Sequence, residues 1–432
     1  MKSLLCLPLI WAALIPSGWG FVAPEVDSAR PFSGHYHATD YQENYRPQFH
    51  FSPRNGWMND INALWYVDGI YHMTYQWGTN KRDAGYTSST DLLHWNDHGL
   101  ALIGRSSHAR DAGAKQNVSG DQIYSGSGIV VSGPVAAKIT GSPKPALITF
   151  YTGTKVGTCI AWSNDHGQTW HNYEKNPVAH PTTGDTPRDP CVIWHEATKK
   201  WVLAIYEEGT TFYGSKDLIT WKRLSNLRFG FECPDLVELP LNGDPEKMKW
   251  VLYDAAGKYL VGHFDGTHFF DENKSKEDLY MDVGPDFYAG QTFFPQTLPE
   301  KKYIQLAWMD EWNGGIDEKP WERNVTFPVE LGLLNRDGMM RVTRTPIAAI
   351  KKLYAGSTVR ITNQNLNHKN ILKEVRSKAF DMTVSFDLKG ATADEIVFEI
   401  ARLKYRYNIA DQKLMYQGVQ KNKFGSKNPP AL

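Results

Sequence analysis

Short apolar and alternating runs dominate the chain. Leu64-Trp65-Tyr66-Val67 and Ile70-Tyr71-His72-Met73-Thr74-Tyr75 flank Asp68-Gly69. Two strand-like runs around that dipeptide predict a hairpin closed by a type I′ turn. Further strands are predicted at Ala146 to Tyr151, Trp201 to Tyr206 and Lys249 to Tyr253. Helical periodicity is scarce, so the fold class expected is all-β.

A repeat runs through this pattern. Ser89-Thr90-Asp91-Leu92-Leu93-His94-Trp95, Ser163-Asn164-Asp165-His166-Gly167-Gln168-Thr169-Trp170 and Ser215-Lys216-Asp217-Leu218-Ile219-Thr220-Trp221 share Ser-x-Asp followed by Trp, and Phe264-Asp265-Gly266-Thr267-His268-Phe269 is a weaker copy. An Asp that accepts backbone N–H bonds closes a tight turn, and the aromatic that follows packs the hairpin. The spacing resembles the one-blade period of a β-propeller, roughly 40–50 residues, although the first interval is longer. Strands before Asp91 and around Trp308 bring the expected number of blades to about five. The repeated Asp and Trp residues are read as turn makers, not as chemistry. Beyond about residue 345 the blade signature stops, while Asp381 to Leu388 and Glu395 to Tyr407 still alternate. A second, sandwich-like β-domain is expected there, and the Lys-, Asn-, Gly- and Pro-rich segment from Gly418 to Leu432 reads as a disordered tail.

Composition narrows the function classes. Lys and Arg balance Asp and Glu to a formal net charge of zero, which leaves no electrostatic footprint for nucleic acid or an anionic membrane. Aromatic residues make up 13% of the chain; they suit either a large β core or stacking against sugar rings. The apolar stretch from Leu4 to Ile15, followed by Gly18 and Gly20, reads as a signal peptide, so a secreted protein is expected. Sequons at Asn117, Asn273 and Asn324 agree with that compartment. Once Cys6 has left with the leader, Cys159, Cys191 and Cys233 remain, an odd number without metal-ligand spacing. Buried free thiols are expected, and no metal.

Candidate chemistry lies in three acids that each precede an apolar strand. Asp60 follows Trp57-Met58-Asn59, Asp189 stands in Pro187-Arg188-Asp189-Pro190, and Glu232 stands in Phe229-Gly230-Phe231-Glu232-Cys233-Pro234-Asp235. Propeller strands converge on a central channel, so acids at the starts of inner strands can meet at one point. Arg188 beside Asp189 predicts an ionised carboxylate there, and the apolar neighbours of Glu232 predict a raised pKa. Taken singly, each acid is more often a turn or ion-pair residue; three in matching positions favour a site.

These residues carry a resemblance. HFSPRNGWMND, SGSGIV, TPRDP, FECPDL and DFYAGQTF resemble, in order, the motifs of glycoside hydrolase family 32, the invertases, inulinases and levanases. The resemblance implies a five-bladed β-propeller followed by a β-sandwich. The division that follows is signal peptide 1–20, N-terminal extension 21–48, catalytic propeller 49–345, shortened sandwich-like domain 346–417 and tail 418–432. It also implies cleavage of β-fructofuranosyl bonds in sucrose, levan or inulin with retention, without cofactor. Asp60 matches the nucleophile, Glu232 the general acid/base and Asp189 the stabiliser that binds fructosyl hydroxyls. Asn59, Gln76, Ser125 and Arg188 match positions that bond the fructosyl unit; Trp57 and Trp312 are expected as pocket walls, with a packing role nearly as favoured for Trp312. Tyr288 is placed equally as packing or ligand contact.

Two departures bear on substrate. Ile61 and Ala63 stand where the family pattern has Pro and Gly, which alters the turn and leaves the carboxylate. Ala84-Gly85-Tyr86 stands where many members have Trp-Gly-His, so one aromatic wall is expected to be lost, with Trp77 or Tyr86 as replacement and levan or inulin level with sucrose as substrate. The alternatives are a fructosyltransferase of the same family and a catalytically silent carbohydrate-binding propeller. A sialidase- or arabinanase-like propeller is less favoured: the Ser163 to Trp170 turn matches a structural device, and no arginine cluster accompanies it.

Overall fold

The computed structural model describes residues 41–417 apart from 42, 44–45, 48, 79–81, 108, 110–114, 180–186, 283, 285, 295–297, 299–300, 310–319, 355–357, 367–369, 378–379, 401–402 and 411–412. The expected leader and tail, Trp312 and nearly all of the expected N-terminal extension lie outside the described residues.

The alternating runs pair into antiparallel blades, each running outward from an inner strand. The first comprises β1 (Gly56–Val67), β2 (Ile70–Trp77), β3 (Asp83–Ser89) and β4 (Trp95–Leu102); the second, β5 (Ile123–Val131), β6 (Ala146–Gly153), β7 (Gly157–Ser163) and β8 (His171–Asn172). The third is β9 (Arg188–His195), β10 (Lys200–Tyr206), β11 (Thr210–Ser215) and β12 (Lys222–Leu227). β13 (Asp235–Leu241), β14 (Asp244–Tyr253), β15 (Lys258–Phe264) and β16 (Phe269–Asp271) form the fourth, with β17 (Leu279–Tyr280) beside β15. The fifth is built on β18 (Phe287–Thr292) and β19 (Ile304–Met309), with β22 (Val329–Arg336) and β23 (Met339–Pro346) outside them.

Ring closure is visible in the inner strands: β1 touches β5, β5 touches β9, β9 touches β13, β13 touches β18, and β18 returns to β1. Two short late strands reinforce it. β20 (Trp321–Glu322) pairs with the free edge of β1, and β21 (Asn324–Val325) pairs with β19. Apolar side chains from adjacent blades form the packing layers; Ile148, Phe150 and Ile160 of the second blade, for example, meet Val192, Leu203 and Tyr213 of the third. The interior is therefore a series of inter-blade contacts around an axial cavity of about 560 Å³. Ser125, Asp189 and Cys233, from the starts of their strands or just before them, line one end of it.

The hairpin expected at Asp68-Gly69 joins β1 and β2, with φ of 49° at Asp68 and 83° at Gly69, the positive pair a type I′ turn requires. The Ser-x-Asp turns link the third and fourth strands of the first four blades. Asp91 Oδ1 accepts the N–H groups of Leu93 and His94, Asp217 Oδ1 those of Ile219 and Thr220, and Asp265 Oδ1 those of Thr267 and His268. Trp95 and Trp221 each donate their indole N–H back into the same turn, to Leu92 and Leu218. These are turn makers, as their sequence context predicts. The fifth blade turns through Asp337-Gly338 without the motif.

Past the propeller, β24 (Glu395–Ile400), β25 (Leu403–Asn408) and β26 (Lys413–Gln417) form one antiparallel sheet. A sandwich needs two sheets, and the described residues supply one. The strand expected over Asp381 to Leu388 does not pair; Met382, Val384 and Leu388 are exposed, and Phe386 rests edge-on against Phe398. Alternation marks a strand only where a neighbour supplies the ladder.

Candidate active site

Asn59 and Asp60 occupy an irregularity in β1. Its register against β2 shifts between Met58 and Ile61 and again between Ile61 and Ala63. A bulge of this kind re-aims side chains, so Ile61 and Ala63 enter the core, fully buried, while Asn59 and Asp60 stay partly open. With Ile61 and Ala63 in place of Pro and Gly, Asp60 still meets Ser125 and Gln76. Asp189, second residue of β9, has φ of 62°, a left-handed backbone that costs an Asp on the order of 1 kcal/mol. Glu232 and Cys233 precede β13 with φ of 56° and 40°. Three strained backbones converge on one spot, held there by the network between them.

Two groups of bonds build that network. The Ser125 hydroxyl donates to Asp60 Oδ2. Gln76 Nε2 donates to Ser125 Oγ at 2.8 Å and lies 3.4 Å from the same carboxylate oxygen. On the other side, Arg188 Nη2 donates to Glu232 Oε1 at 2.7 Å and its Nε lies 3.5 Å from Asp189 Oδ2. The Tyr288 hydroxyl, from β18, donates to Glu232 Oε2 at 2.6 Å. Cys233 ties the halves together: its Sγ is 3.6 Å from Asp60 Oδ2, and its N–H donates to Asp189 Oδ2 at 3.2 Å. Four blades contribute, and the fifth, through Tyr288, completes the ring.

Electrostatics differ from the sequence expectation. Burial pushes the Asp189 carboxyl up to about 7, with the charges of Asp60 and Glu232 adding to it against the pull of Arg188. The neighbouring guanidinium does not hold Asp189 in the ordinary range, because its N–H groups are divided between two carboxylates in a buried setting. Asp60 is also raised, first by burial and then by the charge of Glu232, while Ser125, Arg82 and Cys233 oppose the shift. Burial, together with the charges of Asp189, Asp60 and Glu232, keeps the Cys233 thiol protonated. The apolar surroundings expected for Glu232 are absent: its carboxylate meets Arg188 and Tyr288, Phe229 is buried in the blade core, and Phe231 points outward.

The remaining predicted residues fall as follows. Asn59 Oδ1 and Gln76 Oε1 are buried acceptors that take no hydrogen bond from the described residues. Trp57 lies on β1 with the guanidinium of Arg323 at 4.7 Å and that of Arg82 at 5.6 Å from its ring. Neither Trp77 nor Tyr86 replaces the lost aromatic wall. Trp77 is buried, bonding the Asn55 carbonyl, and Tyr86 sits between His72, His98 and Trp170 on the far side of the blade. The side chain beside the site is Arg82, 4.9 Å from the Tyr124 ring and close enough for its charge to favour ionised Asp60. Arg82 stands two residues before the altered Ala84, which was the only signal in the sequence. At the sequons, Nδ2 of Asn117 and of Asn273, the atom a glycan would take, donates to a backbone carbonyl. Cys159, Cys191 and Cys233 are free and buried. Among the described residues no cluster of His, Cys, Asp and Glu is arranged to hold a metal.

Comparison with known proteins places this geometry. The sequence profile described as "Glycosyl hydrolases family 32 N-terminal domain" matches residues 50–345. A levanase of Bacillus subtilis is 33% identical over 83% of this chain, which spans 55% of the levanase, little more than half its length. The extracellular exo-inulinase inuE of Aspergillus niger is 30% identical, over 88% of this chain and 79% of its own length. In three dimensions the chain is similar to the crystal structure of an exo-inulinase from Aspergillus awamori, with a TM-score of 0.66 at 25% identity, covering 87% of this chain and 83% of that one. Profile, relatives and five-bladed ring agree, and the chain belongs to glycosyl hydrolase family 32.

Proposed function

We propose that the protein is a secreted glycosidase that cleaves β-fructofuranosyl bonds in sucrose and fructans with retention, through a covalent fructosyl intermediate. The observation that carries this reading is the single bonded cluster joining Asp60, Asp189 and Glu232 at one end of the channel. Asp60, oriented by Ser125 and Gln76, attacks the anomeric carbon. Glu232, oriented by Arg188 and Tyr288, protonates the leaving oxygen and then takes the proton from the incoming water. Asp189 accepts hydroxyls of the fructosyl ring and stabilises positive charge as the bond breaks.

Protonation follows from the same contacts. Both Asp60 and Asp189 are raised, Asp189 to about 7; nucleophile and stabiliser act as carboxylates, a form that Ser125, Arg82 and Cys233 favour at Asp60 and Arg188 favours at Asp189. Asn59 Oδ1 and Gln76 Oε1 are buried acceptors that take no hydrogen bond from the described residues, and a sugar hydroxyl reaching them would supply the missing donor. Relatives named levanase and exo-inulinase support a fructan substrate, and the name of the second supports an extracellular protein, in line with the leader read at residues 1–20. No helix among the described residues is long and apolar enough to cross a membrane.

The test is fructose release from sucrose, inulin and levan by the wild-type chain and by Asp60→Ala and Glu232→Gln. Wild type is expected to release fructose, and each variant to lose about 10³-fold or more in kcat, the scale of removing a member of a catalytic unit. A wild type that binds fructan and releases nothing is a lectin. Transfer of fructose to a second sugar in preference to water would mark a transferase.

A further inference from the structure

Phe231 immediately precedes the proposed acid Glu232 and is 52% exposed, an unusual position for so large an apolar side chain. Phe270, Tyr280 and Leu334 of the propeller share such exposure but lie on strands away from the channel. The backbone beneath Phe231 is fixed. Its N–H donates to Asp254 Oδ2 at 3.2 Å, and its carbonyl and that of Glu232 both accept from Ala255 N. Asp254 also receives the N–H groups of Ala256 and Lys258. Gly230, with φ of 82°, packs so closely that an added Cβ would stand 3.1 Å from the Asp254 Cβ. A ring on so rigid a turn loses little conformational freedom when a ligand covers it.

The ring is also oriented. Tyr206, at the end of β10, meets Phe231 edge-on, with centroids 5.1 Å apart and planes at 70°. The Arg188 guanidinium lies 4.8 Å from the Tyr206 ring and 5.8 Å from that of Phe231 while its Nη2 holds Glu232. One arginine thus joins the acid to an aromatic pair outside it. A general acid stands on the leaving-group side of the scissile bond, so whatever lies beyond Glu232 faces the departing sugar.

We propose that Phe231, backed by Tyr206, is the platform on which the leaving-group sugar stacks, and so a specificity-determining residue of the enzyme; this rests on the β-fructosidase reading above. The C–H face of a pyranose or furanose ring lies flat on an aromatic face, away from the fructosyl pocket. Phe231 then discriminates substrates by what departs and leaves recognition of the fructosyl unit to Asn59, Gln76 and Asp189.

The test compares a substrate with a sugar leaving group against one without. On sucrose and on inulin, Phe231→Ala is expected to lower kcat/KM about threefold to tenfold, the worth of one aromatic contact, and mainly through KM. On methyl β-D-fructofuranoside, whose leaving group is methanol, it should stay within about twofold of wild type. Phe231→Leu should behave like Ala, since it keeps bulk without a flat face, and Phe231→Trp should restore hydrolysis of sucrose and inulin. Equal losses on all three substrates, or none on sucrose and inulin, overturn the proposal while wild-type hydrolysis stands. A wild type that cleaves none of the three removes the β-fructosidase reading and this proposal with it.

Discussion

The acid whose surroundings say most is Asp189. Its carboxyl, 6% exposed, titrates near 7 in the fold against 3.8 for the free side chain. A group raised on folding stabilises the protein fully below its unfolded pKa and loses that contribution as pH rises through its folded value. Asp83 and Asp254, both raised to about 6 by burial, act in the same direction. Stability should therefore fall between about pH 4 and 7. Asp189→Asn removes the cost of a buried anion, so its Tm should exceed that of wild type at pH 8, by roughly 1–2 °C for each kcal/mol recovered. The difference should close near pH 4, and activity should be lost. Thermal melts at the two pH values check the sign; a variant less stable than wild type at pH 8 contradicts it. Sequence made it legible that Asp60, Asp189 and Glu232 would meet, because each sits in a motif before a strand, and one bonded cluster joins them. It misjudged their charge, since burial and the distance between carboxyls come from blades far apart in the chain. Tyr288 was level between packing and contact for the same reason: its bond to Glu232 crosses from the fifth blade to the turn before the fourth.

Among the elements, the Ser-x-Asp turn and the β1 bulge divide structure from chemistry. Burial alone would raise Asp91, but the N–H of His94, its imidazole and the N–H of Leu93 outweigh it and hold the carboxyl at about 2. Such an acid has its lone pairs committed. Asp217 accepts from Ile219, Thr220 and the Ser215 hydroxyl in the third blade. Asp217→Ala should cost about 1–2 kcal/mol of stability and leave kcat/KM on sucrose unchanged, as denaturant melts and initial rates would show. A fall in activity beyond the fall in folded fraction would move this acid from architecture to function. These turns were fully legible, being local in sequence. The bulge was not, because it exists only in the register of β1 against β2; Asn-Asp at the head of an apolar strand announced polar side chains without saying how they leave the pleat. The loss of the Trp-Gly-His aromatic was legible too, but Arg82, not Trp77 or Tyr86, is the side chain at the site, since β3 turns Tyr86 away from the channel into the blade packing.

For the molecule as a whole, the ring explains why the site exists. Acids from three separate blades meet because inner strands β1, β9 and β13 deliver residues at or just before their starts to the same end of one channel. Blade number and propeller identity could be read from the turn period and the motif order, whereas the C-terminal region could not: its alternation persists, but among its described residues pairing partners are found only for β24, β25 and β26. The central claim is that Asp60 itself attacks the anomeric carbon while Glu232 protonates the leaving oxygen, so that the sugar passes through a covalent intermediate and two displacements give retention. Proton NMR of the first fructose released from sucrose, followed faster than mutarotation, tests it most directly. The account predicts β-fructofuranose as the initial product; α-fructofuranose appearing first would contradict it.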